Sequence, residues 1–278
     1  MSELARARSF LFVPANRPER FVKALASGAD AVIIDLEDAV PVADKAAARE
    51  NLASVLIGFT AHERARLVLR INASGTLWHD EDLRALGTAM PALAGVMLAK
   101  AETVESLLRV ANAVGPTCAL IPLVESVAGL DAADALALAP QVLRLAFGNL
   151  DFQADAGMAC GPDEAELVPV RLALALASRR ANRVAPVDGV TPGLQEYAQL
   201  EIDVQRSRRS GFGAKLCIHP SQVAIVNAAF APTAGELDWA QRVLQAFELA
   251  GGGVFSLDGR MIDAPVLRLA QQTLARRR

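Results

Sequence analysis

Six apolar runs in this chain each end on a charged or metal-capable residue. They read AVIIDLED at 31–38, LVLRIN at 67–72, VMLAK at 96–100, ALIPLVE at 119–125, LRLAFGNLD at 143–151 and KLCIH at 215–219. One such ending carries little information. Repeated at strand after strand, with helix-patterned segments between, it implies that the strands aim their C-terminal ends at one shared polar site. Parallel α/β folds gather their loops there and do their chemistry there.

Eight strands are expected, at 8–13, 31–36, 66–71, 95–99, 118–124, 143–148, 184–188 and 213–218. They are short, apolar on both faces and bounded by turn signals, as strands buried on both sides must be. Helical patterning fills the gaps at 18–27, 44–57, 80–90, 103–114, 126–138, 163–179, 193–209 and 221–230. Gly28 is placed to close the first helix as a left-handed cap. Pro91, Pro116 and Pro140 stand just after three of the helices, where a helix has stopped and cannot resume. Eight alternating units predict an α/β fold, a closed (β/α)8 TIM barrel over residues 1–232. A doubly wound open sheet is the rival, but it usually has fewer strands and a glycine-rich first turn. Here that turn is VPANRP. A C-terminal helical extension follows over 233–278, with a helix at 236–250, a glycine joint at 251–253, a polar loop FSLDGRMIDAP and a last helix at 266–274. The extension is too short for a core of its own, so it is expected to pack on the barrel or on a neighbouring subunit.

The 278 residues are 53% apolar, but in short runs of Ala, Val and Leu, none near the ~18 needed to span a bilayer. The N-terminus shows neither a signal-peptide h-region nor a cleavage site. Three cysteines, two of them in strand patterns, read as reduced thiols of a cytoplasmic protein. A net charge of −3 gives no bias toward nucleic acid or anionic lipid.

Glu125 and Asp151 follow consecutive apolar strands, so a barrel would set them side by side. Two carboxylates with few other ligands suit a hard divalent cation that keeps its waters, Mg2+ or Mn2+. His62, His79 and His219 are too scattered for zinc. The plainer alternative makes each carboxylate an N-cap of the next helix. Arg70 at a strand end needs an anion, either a substrate carboxylate or an internal acid from Asp35, Glu37 or Asp38. Lys100 reads as an ion-pair partner rather than a Schiff-base lysine, which would need an apolar pocket. Arg17, Arg20 and Lys23 surround the start of the first helix and could receive phosphates or simply face solvent. His219 is either an acid/base or a neutral ring bonded to a nearby backbone carbonyl.

RSFLFVPANRPERF, DAVIIDLEDAV followed by a helix carrying Lys45 and Arg49, LVLRIN, VMLAKAE, LIPLVES, FGNLDF, CIHPSQ and GRMIDAP occur in that order. Together they resemble the HpcH/HpaI aldolase and citrate lyase β-subunit family, close to its CitE-like, malyl-CoA lyase and citramalyl-CoA lyase members. The resemblance spans nearly the whole chain. It implies a TIM-barrel lyase that cleaves a carbon–carbon bond in a 3-hydroxyacyl-CoA thioester, giving acetyl-CoA and a 2-oxo acid. It implies Glu125 and Asp151 as magnesium ligands and Arg70 as the holder of the oxo-acid carboxylate. Phe12, Arg17 and Lys23 fall near positions that contact the CoA nucleotide. Asp263 matches an aspartate that serves a neighbouring subunit's site as acid/base, which implies a homo-oligomer, a trimer or hexamer. Leu150 departs from the family's acid at that position. Three other readings stand beside this one: a citrate lyase subunit acting on an acyl-carrier-protein thioester, a CoA-independent 2-oxo acid aldolase, and a silent barrel that only binds.

Overall fold

The computed structural model describes residues 2–88, 93–250 and 253–277. Pro91, and the glycine joint at 251 and 252, lie outside the described residues. Eight parallel strands close into a barrel in sequence order: β1 Ser9–Pro14, β2 Ala31–Asp35, β3 Leu67–Ile71, β4 Gly95–Leu98, β5 Ala119–Val124, β6 Ala146–Phe147, β7 Val187–Asp188 and β8 Ala214–Cys217. β8 pairs with β1 to complete the ring. Every expected strand is present. β6 and β7 are reduced to two residues each, because the chain turns into a helix or a polar loop as soon as the barrel wall is complete.

Side chains of a strand alternate between the barrel interior and the helices outside. The inward set is apolar: Phe10, Ile33, Val68, Met97, Ile121, Leu123, Ala146, Val187, Ala214 and Leu216 form one buried cluster. Leu4 and Ala7, from a short N-terminal turn of helix, belong to the same cluster. Leu4 lies against Gly95, the first residue of β4, so this turn fills the N-terminal mouth of the barrel. Arg144 seals the same end. It is fully buried with no carboxylate beside it among the described residues, and it donates to the carbonyls of Ala185 (2.9 Å), Ala7 (2.9 Å) and Leu4 (3.3 Å). Its guanidinium lies 5.4 Å from the Phe10 ring centroid. Burial alone pulls its pKa down to about 9.

Some expected helices are broken or displaced. The segment 126–138 divides at Ala132 into Val127–Asp131 and Ala133–Leu138. The segment 163–179 begins as a 3-10 turn before Val168–Arg180. A helix that the apolar pattern does not announce, Asn149–Ala156, starts directly after β6. Gly28 takes φ +82° as expected, at a point where a side chain would be strained.

Contacts divide the chain into two units, Met1–Asn227 and Ala228–Arg278. In the second unit, helices Ala234–Leu249 and Ala264–Ala275 flank the hairpin of β9 (Phe255–Leu257) and β10 (Arg260–Ile262). The segment read as a polar loop is therefore a hairpin. Asp258 and Gly259 both take positive φ, the Asp-Gly turn that two-residue hairpins favour. The unit also has a small core of its own, which corrects the expectation that so short a segment could have none. Ala240, Val243, Ile262 and Ala270 are buried among Trp239, Phe255 and Val266. Among the described residues no helix is long and apolar enough to cross a membrane.

Arg144→Ala would leave a void and strand three carbonyls in a dry mouth. It should destabilise the protein by about 3–5 kcal/mol, to be measured by urea denaturation.

Candidate active site

The inward alternation of the barrel continues past its apolar layers into a polar one. On β1 it passes from Phe10 to Phe12, on β2 from Ile33 to Asp35, on β3 from Val68 to Arg70, and beyond β5 from Leu123 to Glu125. Strand register sets Asp35 opposite Arg70. Arg70 is 7% exposed and donates from Nε to Asp35 Oδ1 at 2.6 Å and from Nη2 to Asp35 Oδ2 at 2.7 Å. Its Nη1 lies 2.7 Å from Glu37 Oε2 and 3.7 Å from Asp38 Oδ2. Beneath it, the Phe12 ring centroid is 4.8 Å from the guanidinium carbon. Burial works against the Arg70 charge, but Asp35, Glu37 and Glu125 more than offset it and hold the group protonated.

Glu125 is 2% exposed and accepts from the Lys100 backbone N–H at 2.8 Å. Lys100 reaches this geometry at φ +44°, a strained conformation for a side-chain-bearing residue. Its Nζ lies 3.6 Å from Asp151 Oδ1, so one residue touches both carboxylates. Gly148 completes the fit, because a Cβ there would fall inside contact with Glu125 Oε2. Burial pushes the Glu125 carboxyl up to about 8 against the pull of Arg70 and the Lys100 N–H, and the charges of Glu37 and Asp151 add to the rise. Glu37 is raised to about 7, again by burial first, with Arg70 opposing and Asp38 and Asp35 adding.

This donor set fits a dication. The carboxylates Asp35, Glu37, Asp38, Glu125 and Asp151 face the cations Arg70, Lys100 and Lys45, leaving a formal charge of −2 when all are ionised. A buried carboxyl raised by burial and by like charges is one whose ionised form a metal would stabilise. Among the described residues no group of three or more His, Cys, Asp or Glu side chains forms a metal cage.

The other expected residues fall as follows. Lys100 pairs with Asp151, and although burial lowers its pKa, Asp151, Glu37, Glu125 and Asp38 raise it further, the opposite of what a Schiff-base lysine needs. Arg17 is exposed and paired with Glu19 at 2.6 Å, and Lys23 is exposed on the first helix. His219 bonds through Nδ1 to the Ser221 hydroxyl at 2.7 Å, in place of a backbone carbonyl. Asp263 lies in the second unit, where it caps Ala264–Ala275 by accepting from the Val266 N–H at 3.1 Å. Sequence reasoning passed over Asn149. It is 1% exposed, its Oδ1 accepts from the Val190 N–H at 2.9 Å, and its Nδ2 donates to Glu164 at 2.8 Å, tying the end of β6 to the loop after β7. Gly189, where a Cβ would fall inside contact with the Asn149 amide, was the available signal for that tight packing.

A closed parallel barrel with an arginine-centred, acid-rich layer at its C-terminal strand ends has the architecture of a barrel enzyme with its chemistry at that end. A model described as HpcH/HpaI aldolase/citrate lyase matches residues 8–220, and one described as a C–C bond lyase of the TIM-barrel fold matches residues 177–278. The chain belongs to the HpcH/HpaI aldolase/citrate lyase family of carbon–carbon lyases. It is 37% identical over 282 aligned residues to the citrate lyase subunit beta-like protein of Mycobacterium tuberculosis, covering 99% of this chain and 97% of that one. It is 33% identical over 272 residues to the (3S)-malyl-CoA thioesterase of Cereibacter sphaeroides, covering 97% and 94%. The crystal structure of CitE from M. tuberculosis in complex with magnesium, acetoacetate and coenzyme A aligns with a TM-score of 0.84 at 36% identity, over 97% of both chains.

The raised carboxyls have a consequence for stability. In the unfolded chain both ionise near pH 4.5, whereas in the fold Glu37 and Glu125 keep their protons to about 7 and about 8. The metal-free protein should therefore lose stability as pH rises from about 5 to about 8, on the order of 1 kcal/mol per pH unit for each group. Urea denaturation in chelator at pH 5.5 and 8 should show the loss in wild type, with Glu125→Gln removing about half of it.

Proposed function

We propose that this protein is a Mg2+-dependent lyase that cleaves a 3-hydroxyacyl-CoA thioester of the malyl-CoA or citramalyl-CoA type into acetyl-CoA and a 2-oxo acid. The observation that carries this reading is the single polar layer in which Arg70, backed by Asp35, stands with Glu125 and the Lys100–Asp151 pair. The binding of magnesium, acetoacetate and coenzyme A by M. tuberculosis CitE supports it. The unpaired Cys118, Cys160 and Cys217 are in keeping with a cytoplasmic enzyme.

Glu125 and Asp151 would hold the cation, which supplies Lewis acidity and a template for the oxygens of the oxo-acid unit. Arg70 has Nε and one side of Nη2 engaged by Asp35 and has Glu37 Oε2 2.7 Å from Nη1, so a substrate carboxylate would be received at the Nη1/Nη2 edge beside Glu37. Asp35 fixes the guanidinium plane before substrate arrives, and Phe12 supports its face. In the cleavage direction a base takes the hydroxyl proton, the carbon–carbon bond breaks, and Asp263 from a neighbouring subunit protonates the thioester enolate. In condensation Asp263 takes the proton from the acetyl methyl instead. Arg17, just before the turn Pro18–Arg20, and Lys23, on the helix Phe21–Ala26, are exposed cations that would meet the nucleotide phosphates of CoA. A homo-oligomer, a trimer or hexamer, follows from the shared use of Asp263.

Malyl-CoA, citramalyl-CoA and citryl thioesters assayed side by side test the substrate class. Acetyl-CoA with a 2-oxo acid is the expected product, and free CoA without acetyl-CoA would mean thioester hydrolysis, the activity named for the C. sphaeroides relative. Glu125→Ala and Asp151→Ala should each abolish turnover and weaken Mg2+ binding at least tenfold by calorimetry, and unchanged affinity in both would remove the metal assignment.

Mixing tests the shared site. Asp263→Ala and Arg70→Ala proteins should each be nearly inactive, and mixed oligomers should recover part of the activity. Confirmed mixed oligomers with no recovered activity would assign Asp263 to its own subunit or to no catalytic role.

A further inference from the structure

The turn after β2 delivers Glu37 to Arg70, and it is clamped from two sides. From within the barrel, the Asp35 carboxylate accepts from the backbone N–H groups of Glu37 (2.9 Å) and Ala39 (3.0 Å) while it binds Arg70. From outside, the ammonium of Lys45 donates to the carbonyl of Leu36 (2.7 Å), the carbonyl of Glu37 (2.7 Å) and Asn72 Oδ1 (2.8 Å). Lys45 is 5% exposed, and its Nζ lies 5.2 Å from the Trp78 ring centroid. All three of its donors are used, on three neutral acceptors.

An ammonium whose three direct acceptors are all neutral is a costly device for joining a helix to a strand, since burial disfavours its charge and the carboxylates of Glu37, Asp35, Asp82 and Asp38 nearby only partly offset that. Its particular property is direction. Three N–H groups in a tetrahedral array pin two successive carbonyls and an amide at once, and a planar guanidinium cannot reproduce that array. The result is visible on the other side of the turn. Glu37 Oε2 lies 2.7 Å from Arg70 Nη1 but outside hydrogen-bond geometry, so the ion pair is held in place by the backbone of the turn. Asn72 extends the clamp, because both its backbone N–H (3.0 Å) and its Nδ2 (2.7 Å) donate to Asp82 Oδ2, and Asp82 accepts from Arg49 at 2.8 Å.

We propose that Lys45 is a positioning residue for oxo-acid recognition: by pinning the Leu36 and Glu37 carbonyls it fixes Glu37 against Arg70 and so sets the edge that Arg70 presents to a substrate carboxylate. This rests on the reading that Arg70 receives that carboxylate. Lys45 itself touches no substrate. Its loss should loosen oxo-acid binding and leave CoA binding, assigned above to Arg17 and Lys23, unaffected.

Calorimetric titration of the full-length protein with pyruvate in Mg2+, and separately with CoA, tests this. Lys45→Met should bind pyruvate about tenfold or more weakly, since small misplacements of a recognition group carry penalties of that order, with CoA affinity within twofold of wild type. Lys45→Arg keeps the charge and should show the same selective loss, and it serves as the second arm if Lys45→Met does not fold. Lys45→Cys treated with bromoethylamine regains a three-donor ammonium of lysine length and should recover pyruvate affinity. The same variant treated with iodoacetamide should not, and wild type treated alike controls for Cys118, Cys160 and Cys217. Wild-type pyruvate affinity in a folded Lys45→Met or Lys45→Arg protein overturns the proposal, as does an equal loss of pyruvate and CoA binding, which would mark Lys45 as a support of the fold alone. Wild type that binds CoA but no pyruvate would instead overturn the oxo-acid reading on which the proposal stands.

Discussion

Two parallel hydrogen bonds between Arg70 and Asp35, on neighbouring strands at matched register, hold together the C-terminal mouth of the barrel. A guanidinium this deeply buried must be paired, because an unpartnered charge there would be destabilising by several kcal/mol. The requirement spreads outward. Asp35 must be oriented, and it is also bonded to the N–H groups of the following turn. That turn must hold its shape, and Lys45 holds it from behind. The Phe12 ring fills the space beneath the guanidinium plane. An internal acid partner does not compete with a role in recognition. It uses the Nε/Nη2 edge of the guanidinium and fixes its plane, while Glu37 stands at Nη1.

The acids of the layer are more numerous than its bases, and the imbalance appears as raised carboxyls. Glu125 sits behind Gly148 and under the Lys100 N–H, in a position chosen by packing and not by solvation. A carboxyl so placed holds a proton near neutral pH unless a stronger cation replaces it. The strained backbone of Lys100 belongs to the same arrangement, since it turns an N–H toward Glu125 while the side chain reaches Asp151.

Much of this was legible from residue order. Apolar runs ending on polar residues located the eight strands, the mouth of the barrel and most of the layer, because burial on both faces of a strand leaves a plain apolar signature. The misreadings came where local chemistry outweighed apolar pattern. The Asp-Gly pair at 258 and 259 makes a hairpin of a segment whose polarity reads as a loop. The Asn149–Ala156 helix has no strong apolar face, and its anchor is a buried asparagine bonded to residues far along the chain. Asn72 ends an apolar run and Lys45 lies in the helix after β2, but only their shared contact shows that they act together.

Sequence alone determined the closed parallel barrel and the end at which its chemistry gathers, because hydrophobic periodicity and turn residues are properties of neighbours along the chain. It left Arg70 with two candidate partners, a substrate carboxylate or an internal acid. Tertiary structure decided that Asp35 occupies one edge of the guanidinium, that Lys100 joins Glu125 to Asp151, and that Lys45 clamps the turn carrying Glu37. Those contacts join groups from different strands at distances under 4 Å. Strand register, barrel closure and the burial of charge set such distances, and no stretch of the chain contains them before it folds.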